Sequence, residues 1–209
     1  MNILSKLNLN PTYNYETIVT TYHPQDKMPN AAPMGIMFRD EKTVVISPYM
    51  TTQTFKNIEQ THCAVINFIY DLDFFFESAF SANRPKLPLH KFKPSRKVPA
   101  PCLKDAFAHV EVEALEIQKE GNRAKVLAKI ITWDVAQIPC VPINRGYNLV
   151  LESIIHATRI VEFRDDEKLV EPLIELIRKY RILVTKVAPE GKLVAIMAKL
   201  ENLIEKKGD

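Results

Sequence analysis

Glycine is scarce in this chain of 209 residues, with Gly35, Gly121, Gly146, Gly191 and Gly208 making up all of it. They assemble neither a Walker loop nor a G-x-G-x-x-G fingerprint, so the two common glycine-rich phosphate grips are excluded. Cysteine is equally thin. Cys63, Cys102 and Cys140 stand far apart, with no C-x-x-C and no even framework, as expected of reduced thiols in an intracellular protein. The histidines carry no ligand spacing, and no metal site is expected. Long apolar runs are missing too. Residues 1–14 lack a signal-peptide core. The most apolar stretch, residues 63–80, is cut by Asn67, Asp71, Asp73 and Glu77, so it does not span a bilayer. The expectation is a cytoplasmic protein with no membrane contact. A net charge of +3 is too mild to argue for nucleic acid.

What is present is strand. Residues 16–22 are rich in β-branched and aromatic side chains, and residues 23–30 carry two prolines and an aspartate that turn the chain. A second strand is expected over 31–39. Pro33 near its start lacks an N–H, so this end must lie at an edge, at a bulge or where the ladder is interrupted. Residues 43–47 make a third strand, and a short amphipathic helix follows over 53–60. Residues 64–69 are continuously apolar, as in a strand buried on both faces. Residues 72–80, with Phe74, Phe75, Phe76 and Phe80, read as a short helix. Together with Phe68 and Ile69, Phe74, Phe75 and Phe76 carry more aromatic surface than that helix and a barrel interior can bury, as in an exposed dimer patch unless helices over 168–180 and 193–204 cover it.

Residues 81–105 differ in character. They hold five prolines and seven basic residues, and read as a long structureless loop. Such a loop is a candidate mobile lid that attracts an anionic substrate. A solvated loop or a weak nucleic-acid contact are the competing readings. Strand returns over 107–119. Val110, Val112 and Ala114 alternate there, and Leu115 and Ile117 then run one residue out of phase, as a β-bulge would produce. Gly121-Asn122 turns the chain into a sixth strand over 124–135. The remainder is helical: residues 145–161 with Asn144 as cap, then amphipathic helices over 168–180 and 193–204, with Pro172 a kink or first-turn residue. The division expected is a barrel over 1–140 and a helical region over 141–209. The fold class is mainly β with α, a small antiparallel barrel of six strands with a C-terminal helical appendage.

Thr51, Thr52 and Thr54 sit where a strand hands over to a helix. A helix start offers unpaired N–H groups and positive dipole, so hydroxyls there form a small phosphate cradle. The competing reading is an ordinary N-cap at Thr51 or Thr52, with Thr54 as first-turn filler.

The segments "PNAAPMG", "TTQTFKNI", "AVINFIYDLDFFFESAF" and "NRGYNLVLESIIHATRI", taken in order, resemble domain-of-unknown-function family 447, a mainly archaeal family. That family looks like a branch of the FMN-binding split barrels, which include the flavin reductases. The resemblance implies a split barrel, a homodimer and FMN near the subunit interface. By position it implies that Thr51, Thr52 and Thr54 hold the phosphate. Backbone groups of Asn30, Ala31, Ala32, Pro33 and Met34 would line the isoalloxazine. Small Ala31 and Ala32 permit close backbone approach, and Met34 is a soft packing surface. One departure stands out: flavin reductases often carry a lysine and an aspartate where this chain has Thr52 and Gln53.

Arg145 at a helix start is the candidate for the missing cation, because a guanidinium pairs bidentately with phosphate. The alternative for Arg145 is a surface or interface salt bridge. His156 lies one turn after Glu152 and three residues before Arg159, so it is either an oriented proton donor or part of a packing network. No side chain presents itself as a catalytic acid or base, which suits a flavin enzyme in which the cofactor carries the redox chemistry. The reading is a flavin-dependent oxidoreductase of unknown substrate. Against it stand a non-catalytic flavin-binding dimer with a structural or regulatory role, and a split barrel loaded with a deazaflavin or haem.

Overall fold

The computed structural model describes residues 2–11, 13–80, 87–136 and 144–205. Cys140, and Arg84 and Lys86 of the basic proline-rich segment, lie outside them. The described residues divide into two compact units, one from Met1–Tyr70 and Pro85–Cys140, the other from Asp71–Arg84 and Val141–Asp209. No helix among the described residues is long and apolar enough to cross a membrane.

The first unit is a closed antiparallel barrel. Its strands are β1 (Asn14–Tyr22), β2 (Pro29–Phe38), β3 (Thr43–Ile46), β4 (Cys63–Phe68), β7 (Ala108–Glu120) and β8 (Arg123–Val135), in the order β1-β2-β3-β8-β7-β4. One face of each strand fills the interior. Val19, Ile36, Phe38, Val44, Ile46, Ile66, Val110, Val112 and Val126 are fully or nearly buried there. Closure gives every barrel strand a partner on both sides over at least part of its length. The phase slip expected after Ala114 is present, because the β7–β8 register jumps between Ala114 and Glu116 and leaves Leu115 59% exposed.

Helix α1 (Ile3–Leu7) was not expected. Asn2 caps it by accepting from the Ser5 amide at 2.8 Å, and Ile3 and Leu4 join the barrel core. Five residues are too few for a periodic signal, so the sequence pattern could not reveal it. Helix α2 (Gln53–Thr61) packs Ile58 into the same core.

The proline-rich segment corrects the expectation of a structureless loop. Residues Leu89–Lys91 make a 3-10 turn, and β5 (Phe92–Pro94) pairs with β6 (Pro101–Leu103) in a separate two-stranded ribbon. Val98, Ala100 and Cys102 bury against Cys63 and Val65 on the outer side of the barrel. Polar side chains of three adjacent barrel strands meet the ribbon backbone. Glu111 accepts from the amides of Arg96 (2.8 Å), Lys97 (2.7 Å) and Val98 (3.1 Å). Asn67 Oδ1 accepts from the Leu103 amide at 2.8 Å, His109 Nε2 lies 2.6 Å from the Leu103 carbonyl, and Thr20 donates to the Pro101 carbonyl. Burial and the Lys93 charge hold the His109 imidazole below its ordinary pKa, so it is neutral and donates from Nε2. For its described part, the lid reading gives way to a fixed outer layer. Within that layer Cys102 is a buried free thiol, with its pKa pushed up to about 11 by burial and by Glu111. It is inert at neutral pH.

The second unit holds α3 (Leu72–Ala79), α4 (Arg145–Glu162), α5 (Glu167–Val187) and α6 (Lys192–Glu205). Asn144 caps α4 as expected, accepting from the Gly146 amide at 2.8 Å. Pro172 lies in the second turn of α5, which continues through it. Helix α3 packs against α4 and α6, and Lys199 of α6 lies over the Phe76 ring. Phe74, Phe75 and Phe76 are each at most 2% exposed. The reading of them as an exposed dimer patch is therefore corrected: they are buried within one chain.

His156 of α4 is buried, stacks on Tyr180 of α5, and has a side-chain Nδ1 without a hydrogen-bond partner among the described residues. Its Nε2 is 3.6 Å from Glu152, and Arg159 is exposed. Here the packing reading of the trio is the better fit. Burial lowers the His156 pKa, outweighing the attraction of Glu152. A lowered folded pKa means that the unfolded chain binds the proton more readily. The stabilising effect is complete above about pH 6.5 and is lost as pH falls through the folded value. Between pH 7 and pH 5.5 the parent should therefore lose more thermal stability than His156→Leu. Parallel loss in the two proteins would refute the assignment.

Candidate functional site

The candidate site is built where β2, the β3–α2 connection and the β7–β8 turn meet within the barrel unit. Strand β2 pairs with β1 over all but its last residue, from Pro29↔Tyr22 to Met37↔Asn14. It pairs with β3 only over Ile36–Phe38. Among the described residues, the stretch from Asn30 to Gly35 thus has a strand neighbour on one side only. Pro33 lies in this half, which is why its missing N–H is tolerated. Ala31 and Met34 are buried, while Asn30, Ala32 and Pro33 are half-buried. A flat group laid along this half would meet main-chain atoms with little side chain between.

Beside it stands the start of α2. Thr52 is its N-cap: Oγ1 accepts from the Phe55 amide at 3.3 Å and donates to the Tyr49 carbonyl at 2.7 Å. The first intrahelical bond runs from the Lys56 amide to the Thr52 carbonyl at 3.2 Å. The amides of Gln53 and Thr54 precede that ladder, and they are the donors that a helix start presents to an anion. Thr51 is exposed at the same entrance. Thr54 is 1% exposed and points inward, where it accepts from Asn30 Nδ2 at 3.0 Å. Asn30 Nδ2 also reaches Thr21 Oγ1 at 3.3 Å, and Thr21 accepts from Asn57 Nδ2 at 2.9 Å. The structure therefore brings Asn30 and Thr54 into one buried network, with Thr52 holding the helix start and Thr51 facing solvent.

Arg145 opens α4 in the second unit and is exposed. A cation that the sequence reading missed lies in the barrel unit itself. Arg123, the first residue of β8, donates from Nη1 to the Ser47 carbonyl at 3.2 Å, and its guanidinium sits 4.0 Å over the Tyr49 ring. The Met50 amide donates to Asn122 and the Ala124 amide to Pro48, so the turn before β8 is laced to the segment leading into α2. Nothing in the local sequence distinguishes Arg123 from a solvated turn residue. Only the closure of β8 against β3 brings it there.

The family model described as "Protein of unknown function (DUF447) N-terminal domain" matches residues 15–137, and the one described as "Protein of unknown function (DUF447)" matches residues 144–202. Among solved structures, an FMN-bound protein of that family from Methanosarcina mazei superposes with a TM-score of 0.76 at 26% identity, covering 96% of this chain and 99% of that one. The flavin reductase component of a bacterial two-component tryptophan halogenase gives a TM-score of 0.51 at 12% identity, over 61% of this chain and 84% of its own. A flavoredoxin from Methanosarcina acetivorans gives 0.51 at 12%, over 58% and 68%. The last two likenesses establish the fold, an FMN-type split barrel.

Proposed function

This chain belongs to the DUF447 family, and from that premise we propose that it binds FMN and serves as a flavin-dependent oxidoreductase of the flavin reductase type. The observation that carries the reading is the end-to-end likeness to an FMN-bound member of the same family. The residues present fit the cofactor. The Gln53 and Thr54 amides, with Thr51 and Thr52, form the phosphate end, and the Thr54 hydroxyl supports it from beneath through Asn30. Main chain from Asn30 to Met34 takes the ring edge, where fixed N–H groups suit the flavin's carbonyls. FMN, when bound, supplies the electron transfer; the chain's own part is to hold and orient it. A cation beside the phosphate would strengthen this grip, and two arginines are proposed: Arg145 from the sequence and Arg123 from its place beside Tyr49.

Absorbance of freshly purified protein is the test. Oxidised flavin bands that bleach with NADH or NADPH, and return with an electron acceptor, are the expected result. Bands that never bleach would leave a flavin carrier, and deazaflavin or haem bands would replace the cofactor. Titration of the stripped protein then ranks the cations. Loss of one charge-assisted phosphate contact weakens FMN by about tenfold or more. That loss is expected for Arg123→Ala if Arg123 is the partner, and for Arg145→Ala if Arg145 is. Neither variant weakening FMN would remove both from the site.

The homodimer remains part of the proposal. Its support is the resemblance together with the exposed Ile182 and Leu183 of α5. Sedimentation at micromolar concentration checks it, and a monomer that binds FMN tightly would end it.

A further inference from the structure

Five neutral side chains are strung by hydrogen bonds between the open half of β2 and the start of α2. Gln53 Nε2 donates to Asn57 Oδ1 at 2.7 Å, and Asn57 Nδ2 donates to Thr21 Oγ1 at 2.9 Å. Asn30 Nδ2 donates both to Thr21 Oγ1, at 3.3 Å, and to Thr54 Oγ1, at 3.0 Å. Thr21, Thr54 and Asn57 are at most 1% exposed, whereas Asn30 and Gln53 are half-buried. The string thus begins and ends on adjacent residues of α2 and passes through β1 and β2 on the way.

Asn30 is the member pinned at one end and open at the other. Both hydrogens of Nδ2 are committed to threonine hydroxyls, which fixes the amide plane and turns Oδ1 away from them. Among the described residues Oδ1 accepts no hydrogen bond, and it is not sealed in; the buried side-chain atom without a partner is His156 Nδ1. Such a network could serve only to tie α2 to the barrel, with Oδ1 left to water. Tying needs the buried members, however, and not a half-buried amide held by two bonds with its oxygen facing out.

The place of Asn30 selects the chemistry. On one side lies the half of β2 that receives the flavin ring in the proposed site, and on the other the α2 start that receives the phosphate. In FMN these two parts are joined by a ribityl chain, a run of neutral hydroxyls. A ring needs a flat wall and a phosphate needs N–H donors or a cation. Hydroxyls need neutral acceptors and donors at fixed points, and a few such groups orient a ligand. None of the five side chains in the network carries a charge.

We propose that Asn30 Oδ1 is the acceptor that recognises the polyol link of the cofactor, with Thr21, Thr54 and Asn57 setting its orientation. This rests on the FMN reading and adds to it a side-chain subsite separate from the main-chain and phosphate contacts.

Titration of the stripped full chain with three flavins separates the parts. Lumiflavin carries the ring alone, riboflavin adds the polyol, and FMN adds the phosphate. The parent is expected to bind riboflavin more tightly than lumiflavin. Asn30→Leu should remove about three- to tenfold of that preference, the range for one neutral hydrogen bond, and change lumiflavin affinity little. Asn30→Asp keeps an outward oxygen, and the hydroxyls of Thr21 and Thr54 can rotate to donate to its inner one. It should keep the riboflavin preference and lose affinity for FMN through repulsion of the phosphate. Melting curves check that each variant folds, and where Asn30→Leu does not, Asn30→Ala answers the same question. A riboflavin preference that survives loss of the side-chain amide overturns the proposal, as does its absence in a parent that binds FMN. Equal weakening of riboflavin and lumiflavin also overturns it and leaves Asn30 as strand support. In each of those cases the FMN reading stands, whereas a parent that binds none of the three flavins overturns both.

Discussion

Replacing Glu111 by alanine is expected to free the ribbon from the barrel and to lower the unfolding free energy by about 3–5 kcal/mol, the range for removing one partner of a buried charged network. Glu111 is 3% exposed, and its two oxygens take three consecutive amides, those of Arg96, Lys97 and Val98. Hydrogen bonds to a charged acceptor are about twice as strong as neutral ones. Removing the acceptor leaves three amides facing an apolar cluster. Those amides regain partners only by swinging the Ser95–Pro99 turn into water, so the damage shows as local opening. Trypsin should then cut after Arg96 and Lys97 in Glu111→Ala and leave both sites intact in the parent. Glu111→Gln keeps one acceptor oxygen and should fall between the two. Denaturant unfolding with mapped proteolysis decides the matter. A loss under about 1 kcal/mol, with both sites still resistant, would mean that Thr20, Asn67 and His109 suffice and that the Glu111 contacts are incidental.

The same turn shows why part of the fold was hidden in the sequence. Barrel strands announce themselves by side-chain alternation and by β-branched content, and even the bulge at Leu115 was visible as a change of phase. The ribbon gives no such signal. Its strands are three residues each and bracketed by prolines, and what holds them is a set of polar side chains on other strands. Asn67 and Glu111 interrupt apolar or alternating runs, and read as breaks rather than as anchors. A buried polar residue within an apolar strand such as "AVINF" could have raised the question of its partner.

Helix α3 misled for the opposite reason. A helix apolar all round is usually buried, yet its three phenylalanines exceed what one short helix and one barrel interior would cover. The surplus is taken up within the second unit by α4 and α6. The threonines of the candidate site were legible by their position before a helix, and Asn30 by the resemblance. Arg123 was legible by neither. Its place depends on the β3–β8 pairing and on the contact of the β7–β8 turn with the segment entering α2.

The double variant Thr52→Ala/Thr54→Ala should bind FMN more weakly by at least about tenfold, since each charge-assisted contact to a phosphate is worth about 1–3 kcal/mol. The two residues contribute in different ways. Thr52 fixes the first turn of α2 by bridging the Phe55 amide and the Tyr49 carbonyl, so its loss also removes a cap worth about 1 kcal/mol of stability. Thr54 anchors Asn30, and through it the half of β2 that is open on one side. Removing its hydroxyl loosens the ring-facing strand along with the phosphate end. Serine at both positions keeps the hydroxyls and should restore binding, whereas Thr54→Val keeps the shape alone and should not. Flavin fluorescence titration measures affinity and a melting curve measures the cap. A double variant that melts earlier but binds FMN like the parent would leave these threonines a structural role only, and the phosphate would then have to sit elsewhere on the barrel.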